Sequence, residues 1–286
     1  MKKFCIHTIA FASITLIIIA LLFIARAVTN RNITWSLPTE KHILFMGASH
    51  IERGIDDSLL KSAINLSNSS ERYLFTYLKL KYFLRDNKQI DTVFLQCAPT
   101  DLWENADDKY HTDNEAAKYV SLFCTLFTKE EFFVYKDSPC RLISFSIQSL
   151  FRPKYYKTFS YMDQMGGGYI GVENNAKEMI VENVAPDIIK GSYGNATNYH
   201  YLRNIIDLCN DNGVRLFFVY CPVYHPEYYY DQAYYYKAYR DNFSDVELLD
   251  YSHWPIPLDE YYDAHHLNYK GALHFTKELK ERFGID

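Results

Sequence analysis

Five short apolar runs, separated by longer stretches with helical periodicity, constrain the fold of this 286-residue chain more than any other feature. Within each run the apolar residues follow one another directly, which is typical of strands buried on both faces of a parallel sheet. This order predicts an α/β fold, a three-layer α/β/α sandwich around a parallel, flavodoxin-like five-stranded sheet. The predicted strands are 42–49, 62–67, 92–99, 214–222 and 246–252.

Helical periodicity predicts three helices in the same region, at 71–85, 197–212 and 269–283. The stretch 103–195 breaks the strand and helix pattern, and we interpret it as an insertion over the strand ends, where ligand sites form in such folds. The expected organisation is a transmembrane helix or signal anchor at 1–28, a linker at 29–41, and one α/β domain at 42–286 that carries the insertion.

The N-terminus begins with two lysines, Lys2 and Lys3, and continues as an uncharged apolar run over 4–25. The run reaches the ~20 residues needed to cross a bilayer. We expect a single-pass cell-membrane protein whose lysines stay in the cytoplasm and whose domain lies outside. The tripeptide 25–27 also resembles a signal-peptidase site, so a secreted or periplasmic protein is the alternative.

Charge and cysteine content narrow the class of protein further. The net charge is −5 and no Lys or Arg cluster occurs beyond the N-terminus, so no nucleic-acid partner is expected. Five cysteines follow the apolar run, an odd number that cannot pair completely within one chain. We expect Cys97 and Cys221 to be buried small hydrophobes, and Cys124 with Cys140 is a candidate disulfide.

Polar residues follow the predicted strands at their carboxyl ends, which meet at one edge of a parallel sheet. Ser49 follows the first strand, and Asp263 and His266 follow the fifth. The spacing of three between the last two places both side chains on the same side of a helical or tight turn. A serine hydroxyl needs an adjacent base that a third group orients, and these three residues are candidates for those roles.

Four segments carry a resemblance to a known family: GAS at 47–49, NLS at 65–67, PTD at 99–101 and DAHHLNYKG at 263–271. In this order they resemble the sequence blocks of the SGNH/GDSL hydrolase superfamily. Together with the N-terminal anchor, the chain is similar to membrane-linked, cell-envelope members, which include polysaccharide O-acetyl esterases and acyltransferases. The resemblance covers most of the chain outside the anchor and the insertion.

The resemblance implies that Ser49 is the nucleophile, that His266 is the general base and then the acid, and that Asp263 orients it. It also implies an oxyanion hole made by the N–H of Ser49, a glycine N–H from the second block and an asparagine amide from the third. Ser67 stands at the glycine's position and keeps a backbone donor, whereas Thr100 stands at the asparagine's position and offers a hydroxyl. Losing one oxyanion donor lowers turnover by ~10² to 10³.

Three further residues are expected near the pocket: His50, Asp101 and His265. A metal site is the alternative around His266, but the spacing matches no zinc signature, and we predict no metal and no cofactor. The alternative ligand set is Asp263, His265, His266 and His253.

The tyrosine-rich run 228–243 has two interpretations. Tyr228, Tyr235 and Tyr239 form a buried helical stripe, or the run is a surface that stacks on sugars or lies at a membrane interface. In the last block, Asn268 is the predicted N-cap of the closing helix, and Gly271 is expected to allow close packing against the first strand.

The expected function is a serine-dependent esterase or acyltransferase acting on small acyl esters, above all acetyl esters of cell-surface glycans. The expected partners are an acylated carbohydrate or other small ester substrate, and the membrane through the N-terminal helix. The alternative is a catalytically inactive SGNH fold that serves as a binding or assembly component in envelope polysaccharide export.

Overall fold

The computed structural model describes residues 2–103, 114–150, 167–173, 196–228 and 230–286. The chain divides into two compact units, one of Met1–Trp35 with Asp113–Met165 and one of Ser36–Thr112 with Gly166–Asp286. The domain boundaries and the insertion expected from the sequence stay predictions.

The strands in chain order are β1 Ile43–Met46, β2 Ala63–Asn65, β3 Thr92–Gln96, β4 Arg215–Tyr220 and β5 Glu247–Asp250. The helices are α1 Lys2–Arg31, α2 Ser49–Gly54, α3 Tyr73–Asp86, α4 Pro99–Leu102, α5 Asn114–Phe123, α6 Lys129–Val134, α7 Pro139–Leu150, α8 Ala196–Asp211, α9 Gln232–Phe243 and α10 Tyr269–Phe283.

The second unit is built on a five-stranded sheet with the order β2-β1-β3-β4-β5, and every neighbouring pair is parallel. This is the flavodoxin-like order, so the predicted α/β fold is confirmed. Each strand is shorter than the apolar run that predicted it, because the runs continue into the turns where ladder bonding stops. In this order β1 lies between β2 and β3, and the chain reverses its direction of winding beside it.

Both faces of the sheet are buried, which is why its strands are apolar without alternation. On one face Phe45, Phe94 and Val219 pack in a single cluster with Phe275 and Leu279 of α10. The pleat turns their neighbours in sequence toward the other face. These neighbours, which include Leu44, Val93 and Phe218, are also fully buried.

The closing helix α10 begins and ends as its sequence predicts. The Asn268 side chain accepts hydrogen bonds from the N–H groups of Lys270 and Gly271, and Gly284 ends the helix with φ 64°. The predicted packing of Gly271 against the first strand is wrong. A Cβ on this residue would lie 2.4 Å from the carbonyl oxygen of Glu260, in the turn before the helix.

The cysteines differ in part from expectation. Cys97 and Cys221 are buried, as predicted. The candidate bridge is not formed, because Cys124 is buried, Cys140 is exposed, and both are free thiols.

The first unit contains the long apolar helix α1, in which Lys3–Val28 is long and apolar enough to cross a membrane. A signal sequence near an N-terminus can pass the same test of length and composition. Within this unit α1 contacts α7 and the turn at 124–126, and α5 packs against α7.

Candidate active site

A glycine turn places Ser49 at the carboxyl edge of the sheet, directly beside β3. Gly47 follows β1 with φ 142°, and a Cβ on it would lie 2.4 Å from Cβ of Gln96. Only glycine allows the chain to pass β3 this closely. The backbone then enters α2, and Ser49 is its first residue.

Gln96, the last residue of β3, holds this turn from behind. Its Oε1 accepts hydrogen bonds from the N–H groups of Ala48, at 3.1 Å, and Ile51, at 3.4 Å. Its Nε2 donates to Oδ2 of Asp101 at 2.9 Å, and the same oxygen accepts from the N–H of Ala98. Asp101 is therefore buried behind Gln96, where it orients the amide that holds the serine turn.

Ser49, His266 and Asp263 form one chain of hydrogen bonds across 217 residues of sequence. His266 Nε2 lies 2.8 Å from Ser49 Oγ. His266 Nδ1 lies 2.9 Å from both carboxylate oxygens of Asp263. With Nδ1–H donating to Asp263, Nε2 carries the lone pair that accepts the serine proton.

The surroundings of Asp263 keep it ionised. Burial alone raises the pKa of a carboxyl group, but the hydrogen bond and charge of His266 outweigh it, and the pKa falls to about 2. Asp263 Oδ1 also accepts from the N–H groups of His265, at 2.8 Å, and His266, at 2.9 Å. Arg53 of α2 places its Nη1 3.8 Å from Oδ2. The carboxylate is thus fixed in position as well as in charge.

Two other histidines adjoin this chain of bonds. The ring of His50 packs edge to face against that of His266 with centroids 5.1 Å apart. Burial, followed by the neighbouring imidazoles, lowers the pKa of His50 well below its usual value, so its ring is neutral. His265 Nδ1 lies 3.0 Å from the hydroxyl of Tyr230, and burial also lowers the pKa of His265.

The predicted oxyanion donors are less completely arranged for their role than the three residues of the hydrogen-bonded chain. The N–H of Ser67 donates to Oδ1 of Asn65 at 3.0 Å, and its carbonyl accepts from the N–H of Gly168 at 3.0 Å. Ser67 is fully buried. Thr100 is half-buried in the first turn of α4, after β3. The structure brings the Ser67 N–H into an internal bond and not into an open site.

A buried ion pair fixes the loop that contains Ser67. Lys79 Nζ lies 2.7 Å from Glu71 Oε1, and neither side chain is exposed. Glu71 also accepts from Asn68 and Thr76, and Lys79 also donates to the carbonyl of Leu66. Removing one partner of such a pair leaves an uncompensated buried charge, so the loop after β2 is a rigid part of the fold.

A cleft of about 630 Å³ lies beside Asp56, which follows α2, and beside the start of α10, and none of Ser49, Asp263 and His266 lines it. The segment 167–173 forms one side and is bonded to both neighbours: Ile170 N–H donates to the carbonyl of Glu52 in α2, and Tyr269 N–H donates to that of Val172. The lining residues are Asp56, Tyr169, Gly171, Glu173, Tyr269 and Leu273. No basic side chain is among them, so the cleft presents ring faces and carboxylates.

Sequence reasoning missed three residues of the site, namely Gln96, Arg53 and Tyr230. Gln96 had a signal, since a polar residue at the end of an otherwise apolar strand must find a partner when it is buried. Arg53 lies four residues after Ser49, one helical turn away on the same face of α2, and this spacing is the signal that could have found it. No local pattern connects Tyr230 with His265, because their contact depends on how two distant loops fold.

The tyrosine run and the metal alternative were the remaining sequence hypotheses. In α9 Tyr235 is fully buried and Tyr239 is partly buried, which agrees with two members of the predicted stripe. Tyr228 belongs to a separate turn at 226–228 before α9, and its side chain lies outside the described residues. Within the parts of the chain that the structure describes, no three His, Cys, Asp or Glu side chains are grouped as metal ligands.

Comparisons with known proteins give limited matches. A protein-family model matches residues 174–285, less than half of the chain. No curated protein matches it. Among solved structures, the chain is similar to a Streptococcus pneumonia protein whose description links it to platelet activating factor, with 14% identity, a TM-score of 0.43, and coverage of 97% of this chain and 98% of that one.

A second solved structure is a GDSL-like lipase from Bacteroides thetaiotaomicron VPI-5482, with 10% identity and a TM-score of 0.40, covering 92% of this chain and 97% of that one. At these values neither likeness carries an argument about activity.

Proposed function

We propose that this chain is a membrane-anchored, SGNH/GDSL-like serine esterase or acyltransferase that acts on acetyl or other small acyl esters of cell-surface glycans. The observation that carries the proposal is the bonded chain of Ser49, His266 and Asp263, with Ser49 Oγ 2.8 Å from His266 Nε2. This distance is within the range at which a base activates a serine nucleophile.

In the proposed reaction Ser49 Oγ attacks the ester carbonyl while its proton moves to His266 Nε2. The tetrahedral intermediate collapses when the same proton passes to the leaving alcohol oxygen, and the acyl group remains on Ser49. Water or a sugar hydroxyl then attacks the acyl group, giving its proton to His266 and restoring the serine. Asp263 stays ionised throughout and stabilises the imidazolium that forms at each step.

The developing oxyanion requires hydrogen-bond donors near the serine. We assign this role to the backbone N–H of Ser49 and to the hydroxyl of Thr100. Ser67 contributes its N–H only when the bond to Asn65 is exchanged for one to the oxyanion. His50 lies against His266 as a neutral ring, which leaves His266 as the base beside the serine.

The cleft lined by Tyr169 and Tyr269 supports a carbohydrate as the substrate, although none of the three triad residues lines it. Tyr169 and Tyr269 offer ring faces on which a sugar can stack. Asp56 and Glu173 offer carboxylate oxygens that accept hydrogen bonds from hydroxyl groups. About 630 Å³ is within the usual range for small-ligand sites and accommodates one or two sugar units.

The proposal places the chain at the membrane through α1. The apolar stretch Lys3–Val28 contains 26 residues, more than the ~20 that a bilayer requires. Lys2 and Lys3 precede it, and the positive-inside tendency assigns them to the cytoplasm and the sheet-containing unit to the outside. Secretion after signal cleavage is the alternative.

The experiment uses the full chain in detergent with a chromogenic acetyl ester, comparing the wild type with Ser49→Ala and with His265→Gln. We expect hydrolysis by the wild type, loss of it in Ser49→Ala, and retention of most of it in His265→Gln. A folded wild type without activity on this ester or on acetylated oligosaccharides would favour the inactive binding or assembly role. Adding an acceptor oligosaccharide then separates acyl transfer from hydrolysis by product mass.

A further inference from the structure

The first unit exposes large apolar side chains outside its long helix. Phe132 and Phe133 of α6 are 44% and 65% exposed, and Ile143 of α7 is 58% exposed. A large apolar side chain that stays exposed to water forgoes the free energy that its burial would contribute. These three residues belong to two short helices that follow one another in the chain, and exposed large apolar side chains are candidates for contact with an apolar partner.

The contact of α7 with α1 indicates what covers these side chains. Residues 3–18 of α1 are exposed throughout, whereas Ile19, Leu22, Phe23 and Arg26 are partly or fully covered. Their spacing places them on one side of the helix, and the elements of this unit that contact α1 are α7 and the turn at 124–126. The unit therefore packs on the last third of the apolar helix.

The length of α1 indicates at what depth in a bilayer the contact between α7 and α1 lies. The 26-residue stretch Lys3–Val28 extends about 39 Å, whereas the hydrocarbon core of a bilayer is about 30 Å thick. If the core begins at the N-terminal lysines, it ends near Leu22. The covered residues straddle this boundary, so α7 contacts α1 where it leaves the hydrocarbon.

We propose that α6 and α7 lie on the outer membrane surface beside α1, with Phe132, Phe133 and Ile143 inserted into the lipid interface. The inference rests on the proposed crossing of the membrane by α1. Interfacial helices of this kind combine an apolar face with basic residues at its border.

The exposed charges on and between these two helices fit binding to a lipid surface mainly through insertion of the apolar side chains, with a smaller contribution from electrostatic attraction. Lys129, Lys136 and Arg141 are exposed, and Lys136 Nζ lies 4.5 Å from the ring centroid of Phe133. Long basic side chains can keep their charge at the headgroups while neighbouring rings enter the interface. Glu130 and Asp137 are also exposed, so the electrostatic attraction to anionic lipid is weak.

The test labels single cysteines with an environment-sensitive NBD group in the full chain, reconstituted in phosphatidylcholine nanodiscs with one fifth phosphatidylglycerol. Cys5→Ser and Cys140→Ser remove the exposed thiols, and the remaining four cysteines are buried and protected from the label. The reporters are Phe133→Cys and Ile143→Cys. Ile14→Cys reports the middle of α1, and Asp241→Cys, exposed on α9, reports water.

We expect NBD at positions 133 and 143 to emit at shorter wavelength than at 241 and to be quenched by lipids that carry a doxyl group near the headgroup. NBD at position 14 should respond to a doxyl group near the chain end. Emission at 133 and 143 equal to that at 241, with position 14 quenched, overturns this inference and leaves the anchor intact. A water-like position 14 overturns the anchor and this inference together.

Discussion

The two sides of the candidate site differ in how completely the folded chain assembles them. On one side Ser49, His266 and Asp263 are joined by hydrogen bonds of 2.8 and 2.9 Å. On the other side, where we propose that the oxyanion is held, the N–H of Ser67 is bonded to Asn65 and Thr100 offers a hydroxyl in place of an amide. The proton-transfer half of the site is ready without substrate, and the charge-stabilising half is not.

This difference suggests where the chemistry is limited. Geometry and charge on the triad side already favour attack by the serine, because Asp263 is ionised and holds His266 in one tautomer. The barrier then depends on how well the oxyanion is stabilised, which is usually the largest single contribution in acyl transfer. We therefore expect a slow esterase whose rate responds upward to a better donor and downward to any change in the triad.

The largest effect is expected for Asp263→Asn. The amide can present an N–H to Nδ1 and so stabilise the wrong tautomer of His266, and it cannot balance the imidazolium. Ester turnover should fall about 10³-fold or more. Steady-state kinetics check this, with Asp259→Asn, whose side chain is partly exposed, as the control before the same helix. A decrease below tenfold would show that the bond to Asp263 does not matter for the rate.

A smaller loss is expected for Gln96→Leu, which removes the acceptor behind the serine turn. The buried N–H groups of Ala48 and Ile51 would lose their partner, at a cost of about 1–3 kcal/mol each. The turn would shift, and turnover should fall roughly 10- to 100-fold because small misplacements of a nucleophile have large effects.

Gln96→Glu is the comparison variant, because it keeps a side-chain oxygen toward the serine turn, while its second oxygen must carry a proton to keep the hydrogen bond to Asp101. It should retain more activity than Gln96→Leu at equal expression. Equal losses in both variants would mean that the amide acts through Asp101 and not through the serine turn.

Features of this molecule that depend on residues close together in sequence could be predicted, whereas features that depend on distant residues could not. The strands, the closing helix and its Asn268 cap are decided within a few residues, and apolar runs and capping patterns locate them. Asp263 and His266 are three apart, so their pairing could also be predicted. Gln96 and Tyr230 meet partners 48 and 35 residues away, and only the folded chain brings them together.

Two sequence predictions illustrate why local patterns mislead. Ser67 has the expected position in its block, yet Asn65, two residues earlier, uses its N–H in a local side-chain turn of the kind that competes with other partners. Gly271 was predicted to contact the first strand, but the close contact is with Glu260 in the preceding turn. Asn65 accepts the hydrogen bond of the Ser67 N–H that was expected to bind the oxyanion. Glu260 makes the close contact with Gly271 that the first strand was expected to make.

A gain of activity is expected for Thr100→Asn, which places a side-chain amide on the weaker side of the site. One effective oxyanion donor contributes ~10² to 10³ in turnover. We expect turnover to rise only about tenfold, because residue 100 is a threonine in this fold and its surroundings do not orient an amide. The measurement is kcat on the chromogenic ester, with Thr100→Val as the variant that lacks any donor and should be slower. A decrease in both variants would place the oxyanion elsewhere.

The smallest effect is a pH dependence of stability caused by His50. Its pKa is lowered in the fold by burial and by His266 and His265, with Arg53 acting in the same direction and Asp263 opposing. As the pH falls through about 6.5, His50 is protonated in the unfolded chain but stays neutral in the folded chain. The contribution of His50 therefore lowers the stability of the fold below that pH and leaves it unaffected above it.

Thermal unfolding of the full chain at pH 7.5 and 5.5 tests this, in the wild type and in His50→Gln. We expect the Tm of the wild type to fall further on acidification than the Tm of the variant. His265 and the carboxylates are common to both, so the difference between the two falls in Tm reports His50. A larger loss in the variant would mean that His50 is charged in the folded chain.

The central claim is that His266 activates Ser49, and the most direct test is covalent labelling by a fluorophosphonate followed by peptide mass spectrometry of the full chain. The account predicts that the label is found on Ser49 in the wild type and that His266→Ala removes it while the chain stays folded. Labelling of another residue, or none on a folded wild type, would contradict the account.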